Sequence, residues 1–172
     1  MQFEEKTLKK KFIYQGKILN LRCDDVMLPN GKTALREIVE HAGGSCVLCE
    51  KDGKILFVKQ FRYAYGKELL ELPAGKKDVG ETAEQTALRE LEEEAGLKAQ
   101  KAHLLFEVYP SPGYTDEVIK IFRVTEFTES KSHLDEDEFL NCVWIEKSKV
   151  KNMIEQGEIK DAKTLIALLR IL

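Results

Sequence analysis

The chain has 172 residues, of which 43% are apolar and 33% are charged, and its formal net charge is −3. This length suits one domain, or one domain with an appended segment, and allows a sizeable core. The acidic balance argues against a nucleic-acid partner, which usually requires a basic patch. No apolar run is long enough to span a membrane, and the first residues lack the apolar centre of a signal peptide. We therefore expect a cytoplasmic protein without nucleic-acid or membrane partners.

The first half of the chain is dominated by strand patterns. Asn30-Gly31 supplies the positive φ angles of a tight hairpin turn, and residues 51–54 mark a second hairpin. Apolar residues alternate only loosely on either side of the first turn. The predicted strands are 6–14, 18–28, 34–40, 45–50 and 55–60.

A helix is predicted from about Thr82 to Ala95. Thr82 is suited to the N-cap, and Gly96 to the left-handed residue that follows the last turn. At about 100° per residue, Leu91 and Ala87 share one apolar face. This face is suited to packing on a sheet.

Three glutamates crowd onto another side of this helix, close to its C-terminal end. Glu90 and Glu94 are four residues apart, so their like charges repel by a few tenths of a kcal/mol. Together with Glu93 they also face the negative pole of the helix dipole, at a cost of roughly 0.3–1 kcal/mol. A hard divalent cation reverses both effects, since carboxylate oxygens are its preferred ligands. Although most glutamate-rich helices are simply solvated, we interpret this one as a metal site, with Arg89 orienting Glu93.

The second half combines strands with C-terminal helices. Strands are predicted at 103–109, 118–126 and 142–145, and helices at 148–156 and 162–171. The order of elements predicts an α+β fold, with a mixed sheet and helices on its faces.

Two cysteines, Cys46 and Cys49, form a CxxC pair within a predicted buried strand. Such a pair can bind zinc or carry redox chemistry. No second pair completes a tetrahedral site, and cysteine is often buried without any chemical role. We therefore interpret both residues as part of the core.

One stretch of the sequence, GKKDVGETAEQTALRELEEEAGL from Gly75 to Leu97, resembles the Nudix box in full. The order is Gly75, five residues, Glu81, seven residues, and then Arg89-Glu90-Leu91-x-Glu93-Glu94-x-Gly96-Leu97. The resemblance implies a Nudix-type α/β/α sandwich that hydrolyses a diphosphate linked to another group. It also implies Mg²⁺ as the cofactor, with Mn²⁺ as a substitute. The metal would be bound by the box glutamates, including Glu81 as support.

The segments around the box resemble the ADP-ribose pyrophosphatase subgroup of the Nudix family. Before the box stands Glu71-Leu-Pro-Ala-Gly, in which the resemblance makes the Ala74 carbonyl a metal ligand and associates Glu71 with the substrate. After the box, Ser-Pro112-Gly113 resembles a substrate-binding segment, although such a triplet is most often only a turn. The acidic run Asp135–Glu138 resembles the loop that carries the general base. Spacing leaves Glu136 and Glu138 both open as this base, with Glu138 favoured for its place before an apolar run.

Two arginines complete the resemblance. Arg62 resembles the phosphate-contacting arginine of the family, and Arg36 resembles an arginine contributed by the N-terminal segment. The resemblance therefore implies hydrolysis of ADP-ribose to AMP and ribose 5-phosphate. Two alternatives stay open: hydrolysis of another nucleotide sugar such as GDP-mannose, and a non-catalytic nucleotide-sugar sensor on the same fold.

The N-terminal part of the chain is expected to form a short antiparallel β segment. We place this segment at residues 1–42 and the Nudix domain at 43–172. The segment has too few apolar positions for a core of its own. In the family such segments join two subunits and complete the nucleotide site, so a homodimer is expected.

Overall fold

The computed structural model describes residues 3–172, which form two compact units. The first unit contains the residues up to Gly43 together with Tyr109–Val118, and the second contains Gly44–Val108 and Ile119–Leu172. Within residues 3–172, no helix is both long enough and apolar enough to cross a membrane. The functional division of the chain at residues 42 and 43 stays a prediction.

The first unit is built on a four-stranded antiparallel sheet. Strand β3 pairs with β4 along its whole length, while β1 and β2 share its other edge. The predicted strand at 6–14 is therefore two short strands. The predicted hairpin turn is confirmed, since Gly31 has a φ of 81° and donates to the Leu28 carbonyl. The strands are β1 (Lys6–Lys9), β2 (Phe12–Gln15), β3 (Leu19–Met27) and β4 (Thr33–His41).

The second unit contains a seven-stranded mixed sheet in the order β10-β11-β5-β6-β13, with β7 paired to β6 and β8 paired to β5. Strands β11 and β5 run parallel, and the other pairs are antiparallel. A two-stranded ribbon joins β9 and β12. The strands are β5 (Gly44–Lys51), β6 (Lys54–Arg62), β7 (Lys67–Glu71), β8 (Ala74–Lys76), β9 (Leu97–Lys98), β10 (His103–Val108), β11 (Ile119–Val124), β12 (Thr128–Glu129) and β13 (Leu140–Glu146).

Helices cover both faces of this sheet. They are α1 (Ala83–Ala95), α2 (Lys147–Glu155) and α3 (Ala162–Leu168). Along β5, Val47 and Cys49 pack in the cluster that contains Leu91 of α1, whereas Cys46 packs with residues of α2 and α3. This alternation confirms the α/β/α sandwich. Both core cysteines are fully buried, as predicted, and burial raises the pKa of each thiol to about 12.

Candidate active site

The short strand β8 and helix α1 place the box residues next to each other. Residues Ala74 and Gly75 pair with β5, against which α1 packs. The helix starts where expected, because the Thr82 side chain accepts a hydrogen bond from the Gln85 amide and the Gln85 side chain accepts from the Thr82 amide. It ends at Gly96, which has a φ of 63°.

Two box glutamates, Glu90 and Glu94, are buried against this strand. Oε2 of Glu94 accepts a hydrogen bond of 3.1 Å from the Ala74 amide. The carboxylate of Glu90 occupies the space that a Cβ on Gly75 would fill. The glycine at position 75 is therefore required so that the backbone can pass directly beside this carboxylate.

Burial disfavours the charged form of both carboxylates. Desolvation raises the pKa of Glu94 to about 9, and the negative charges of Glu90 and Glu138 add to this effect. Desolvation likewise raises the pKa of Glu90 to about 7, although Arg89 acts against the shift. Two buried acids that repel each other form a site that a cation would stabilise.

Arg89 is the central cation of the outer part of the box. Its guanidinium donates to Glu81 at 2.9 Å, Glu90 at 2.8 Å and Glu93 at 2.7 Å, and also to the Lys76 carbonyl at 3.1 Å. The hydrogen bond from Arg89 lowers the pKa of Glu81 to about 2 against a smaller desolvation effect. One guanidinium shared among three carboxylates cannot neutralise them all, so the box keeps an excess of negative charge.

A second charged group lies at the end of β7. Glu71 is only 2% exposed, and it accepts hydrogen bonds from Nε and Nη2 of Arg62 at 2.7 and 2.8 Å and from Nζ of Lys163 at 2.5 Å. Burial alone would raise the pKa of Glu71, but the bonds from Arg62 and the charge of Lys163 outweigh it and lower the pKa to about 2. The sequence predicted Arg62 and Glu71 separately as substrate residues, and it assigned no role to Lys163, although the family resemblance extends to residues 161–164.

The two candidate general bases differ in their surroundings. Glu138 is half-buried, accepts a hydrogen bond of 3.3 Å from the Gln60 side chain, and is close enough to Glu90 and Glu94 to raise both of their pKa values. Glu136 is exposed and makes no hydrogen bond or ion pair with residues 3–172. Of the two, the structure brings only Glu138 to the box.

The other predicted substrate residues, Arg36, Pro112 and Gly113, belong to the first unit. Arg36 forms an exposed ion pair with Glu5, with Nε donating at 2.9 Å. Pro112 and Gly113 lie in a turn that is closed by the amide of Tyr114 donating to the Ser111 carbonyl. The turn itself was expected from the sequence, and a role for it in substrate binding stays a prediction.

The chemistry of the donor set fits a hard divalent cation. Glu90 and Glu94 offer buried carboxylate oxygens, and Gly75 leaves room for one of them beside the backbone. As positioned, no three acidic, histidine or cysteine side chains of residues 3–172 converge into a ready metal-binding group. In this arrangement Glu90 and Glu93 both accept hydrogen bonds from Arg89, while Glu94 accepts one from the Ala74 amide.

Comparisons with known proteins identify two segments of the chain. The model of the NUDIX domain matches residues 33–168, and the model of the nucleoside diphosphate sugar hydrolase N-terminal domain matches residues 5–39. The chain is 45% identical to an ADP-ribose pyrophosphatase of Bacillus subtilis (strain 168), over 96% of this chain and 91% of the relative. It is 40% identical to a methanol dehydrogenase activator of Bacillus methanolicus, with the same coverage of both chains.

The fold also has a close structural match. A crystal structure described as an ADP compounds hydrolase superimposes with a TM-score of 0.86, covering 96% of this chain and 91% of that chain. The two sequences are 19% identical, so this likeness concerns the fold alone.

Proposed function

Because the chain belongs to the NUDIX domain family, we propose that it is a metal-dependent hydrolase that cleaves ADP-ribose into AMP and ribose 5-phosphate. The proposal is supported above all by the buried pair Glu90 and Glu94, whose unfavourable burial as carboxylates a bound cation would relieve. We propose ADP-ribose as the substrate because a relative named as an ADP-ribose pyrophosphatase is 45% identical to this chain over 96% of its length.

We assign the metal to Glu90, Glu94 and the Ala74 carbonyl, with Glu93 and Glu81 supporting it from the Arg89 side. Mg²⁺ is the proposed ion, with Mn²⁺ as a substitute, because all of these donors are oxygens. When bound, such an ion draws charge from the diphosphate oxygens and lowers the pKa of a coordinated water.

The chain's own residues supply the remaining steps. Arg89 holds Glu81 and Glu93 in place through hydrogen bonds of 2.9 and 2.7 Å. Glu138 takes the proton of the attacking water, since its carboxylate lies near the box and is steadied by Gln60 at 3.3 Å. Glu136, the other candidate base, lacks any such anchor among the described residues.

Several residues are assigned to substrate binding in this proposal. In the second unit, Arg62 is held by Glu71 and presents a guanidinium suited to a phosphate. We propose that Arg36, Pro112 and Gly113 of the first unit contact the nucleotide. These assignments can be tested one residue at a time through the KM of the alanine variants.

We also propose that the protein is a homodimer formed through its N-terminal strands. Large apolar side chains on β1 and β2 are exposed, among them Phe12 at 46%, Ile13 at 54% and Tyr14 at 59%. A second copy of the chain would cover them. Sedimentation at assay concentration should give about twice the chain mass of 19.7 kDa; a monomer would contradict the dimer.

A cytoplasmic location is proposed because all four cysteines are free, as is usual for reduced compartments. Cell fractionation with an antibody tests it. The absence of nucleic-acid and membrane partners stays a prediction.

The substrate is tested with a panel of nucleoside diphosphate sugars in the presence of Mg²⁺, following release of the nucleoside monophosphate. ADP-ribose should give the highest kcat/KM. A preference for GDP-mannose would contradict the assignment of ADP-ribose as the substrate, but not the assignment of the reaction as hydrolysis of a nucleotide sugar. Binding without any turnover across the panel would favour a sensor.

A further inference from the structure

One charged side chain of the second unit has no place in the proposed reaction. Lys163 is only 13% exposed, and its Nζ lies 2.5 Å from Oε2 of Glu71 and 3.0 Å from Oδ1 of Asp161. A buried lysine is costly unless it is paired and hydrogen-bonded. Its two acidic partners meet that condition, so the position of Lys163 is closely fixed.

The start of α3 is bonded to the segment that carries Glu71. Asp161 caps the helix by accepting from the Thr164 amide at 3.0 Å and from the Thr164 hydroxyl at 2.6 Å. The same hydroxyl accepts a hydrogen bond of 2.9 Å from the amide of Leu72, the residue after Glu71. Two consecutive residues, Lys163 and Thr164, therefore bond to two consecutive residues of another segment, Glu71 and Leu72.

Arg62 completes the group and leaves one end of its guanidinium unused. Its Nε and Nη2 both donate to Glu71, while Nη1 makes no hydrogen bond within residues 3–172. The side chain is 38% exposed and lines a cavity of about 370 Å³. Lys163 lines the same cavity, together with Tyr63 and Tyr65.

We propose that Lys163 is a positioning residue for the substrate: with Arg62 it fixes the carboxylate of Glu71, and thereby holds Nη1 of Arg62 at this cavity for an oxygen of the diphosphate. The inference rests on the proposed function for the identity of that ligand. An arginine that is already ordered loses less side-chain freedom when substrate binds, so the benefit falls on binding. Lys163 itself is not assigned any contact with the reacting phosphorus.

Steady-state kinetics of Lys163→Met provide the main test. We expect KM for ADP-ribose to rise about tenfold while kcat stays within about twofold, because only binding is affected. Lys160→Met is the matched control: Lys160 is exposed, lies three residues away, and forms no ion pair with residues 3–172. An unchanged KM in Lys163→Met would overturn the inference, as would a fall in kcat as large as the rise in KM.

Thr164→Val separates positioning from simple structural support. This variant removes the hydrogen bonds of the hydroxyl to Leu72 and to Asp161, but it keeps the cap bond from the Thr164 amide to Asp161 and leaves the Lys163 amine beside Glu71. It should lower the melting temperature without raising KM. If Thr164→Val reproduces the kinetic defect of Lys163→Met, then Lys163 only supports the fold. Should Lys163→Met fail to fold, Lys163→Gln, which keeps a donor but loses the charge, takes its place with the same expected split.

A spectroscopic readout tests the inference without any substrate. In the native protein, the Nε proton of Arg62 should exchange slowly with water because it is bonded to Glu71. Exchange should be at least about tenfold faster in Lys163→Met and unchanged in Lys160→Met, with the signal assigned by its loss in Arg62→Lys. Equal protection in both variants would contradict the inference.

Failure of the inference can be told apart from failure of the proposed function. If the native enzyme does not turn over ADP-ribose, the proposed function fails, whereas the proton-exchange comparison still decides the role of Lys163. If the native enzyme turns over another nucleotide sugar, the kinetic comparison is made with that compound.

Discussion

Two buried carboxylates of the second unit, Glu71 and Glu94, have pKa values that are shifted in opposite directions. They are almost equally hidden, at 2% and 3% exposure. The pKa of Glu71 falls to about 2 because the chain supplies Arg62 and Lys163 to pair with it. Desolvation raises the pKa of Glu94 to about 9, and the nearby acids Glu90 and Glu138 raise it further where a counter-charge could have lowered it. Burial alone therefore does not identify a functional acid; the missing counter-charge does.

The largest effect is expected from Glu94→Gln. Loss of a carboxylate ligand removes much of the charge stabilisation that a metal provides, so kcat should fall about a thousandfold, equivalent to about 4 kcal/mol. Folding without metal should be unimpaired, because glutamine removes the repulsion with Glu90. The measurement is turnover with Mg²⁺, combined with thermal unfolding in chelator.

Glu92→Gln serves as the matched control for that variant. Glu92 lies on the same helix, but it accepts hydrogen bonds from Ser130 and Lys98 on another side. Its turnover should stay within about twofold of the native enzyme, as is usual for surface changes. Near-normal activity in Glu94→Gln would refute its assignment as a ligand.

Glu71→Gln should mainly lower the stability of the fold, whereas Glu94→Gln should mainly lower turnover. Removing the acid leaves two cations facing each other without their partner, at a cost of roughly 3 kcal/mol for a buried pair of this kind. Urea unfolding of the two variants, each compared with the native protein in chelator, gives the contrast directly. If Glu94→Gln proves the more destabilised of the two, the distinction between the two acids is wrong.

The dependence of stability on pH separates the same two groups. The pKa of Glu71 is lowered from 4.5 to about 2, so its contribution is present above pH 4.5 and is lost as the pH falls toward 2. The pKa of Glu94 is raised from 4.5 to about 9, so the folded state keeps a proton that the unfolded state has released. Stability in chelator should therefore decline as the pH rises from 4.5 to 9.

Added Mg²⁺ should oppose that decline. A ligand at about 100 times its Kd that binds only the folded state stabilises it by about 2.7 kcal/mol. The gain should grow as the pH rises from about 6 to about 9, because only deprotonated carboxylates bind the metal. Thermal unfolding with Mg²⁺ and with chelator across this range is the check; a gain independent of pH would contradict the assignment.

The smallest effect is expected from Gly75→Ala. The added methyl group would meet the carboxylate of Glu90, which is the end of a flexible side chain and can move away. Stability should change little, while metal affinity and activity fall about tenfold, in the range seen when a ligand's support is altered. An unchanged activity would show that the place of Glu90 beside the backbone is unimportant.

The sequence predicted the box more fully than its surroundings, for a physical reason. Helix α1 is marked by local signals, namely the Thr82 cap, the Gly96 terminus and the 3.6-residue period, and each of these is confirmed. Strand β8 has three residues and no alternation, so only its pairing with β5 reveals it. The sequence does not show that this pairing places Gly75 beside Glu90.

The sequence pattern could not predict ion pairs between residues that are far apart along the chain. Lys163 is 92 residues from Glu71 along the chain, and nothing local indicates that the two meet. Likewise, sequence spacing left Glu136 and Glu138 both open as the base, and Glu138 was favoured only for its place before an apolar run. The structure separates them because Gln60, 78 residues away from Glu138, provides an anchor for that residue.

The most direct test is anomalous scattering from a crystal grown or soaked with Mn²⁺ and a nucleotide product. A manganese peak should lie at roughly 2.2 Å from carboxylate oxygens of both Glu90 and Glu94, the distance expected for such an ion bound by oxygen. A peak at another place in the protein, or none beside these two glutamates at saturating Mn²⁺, would contradict the metal site.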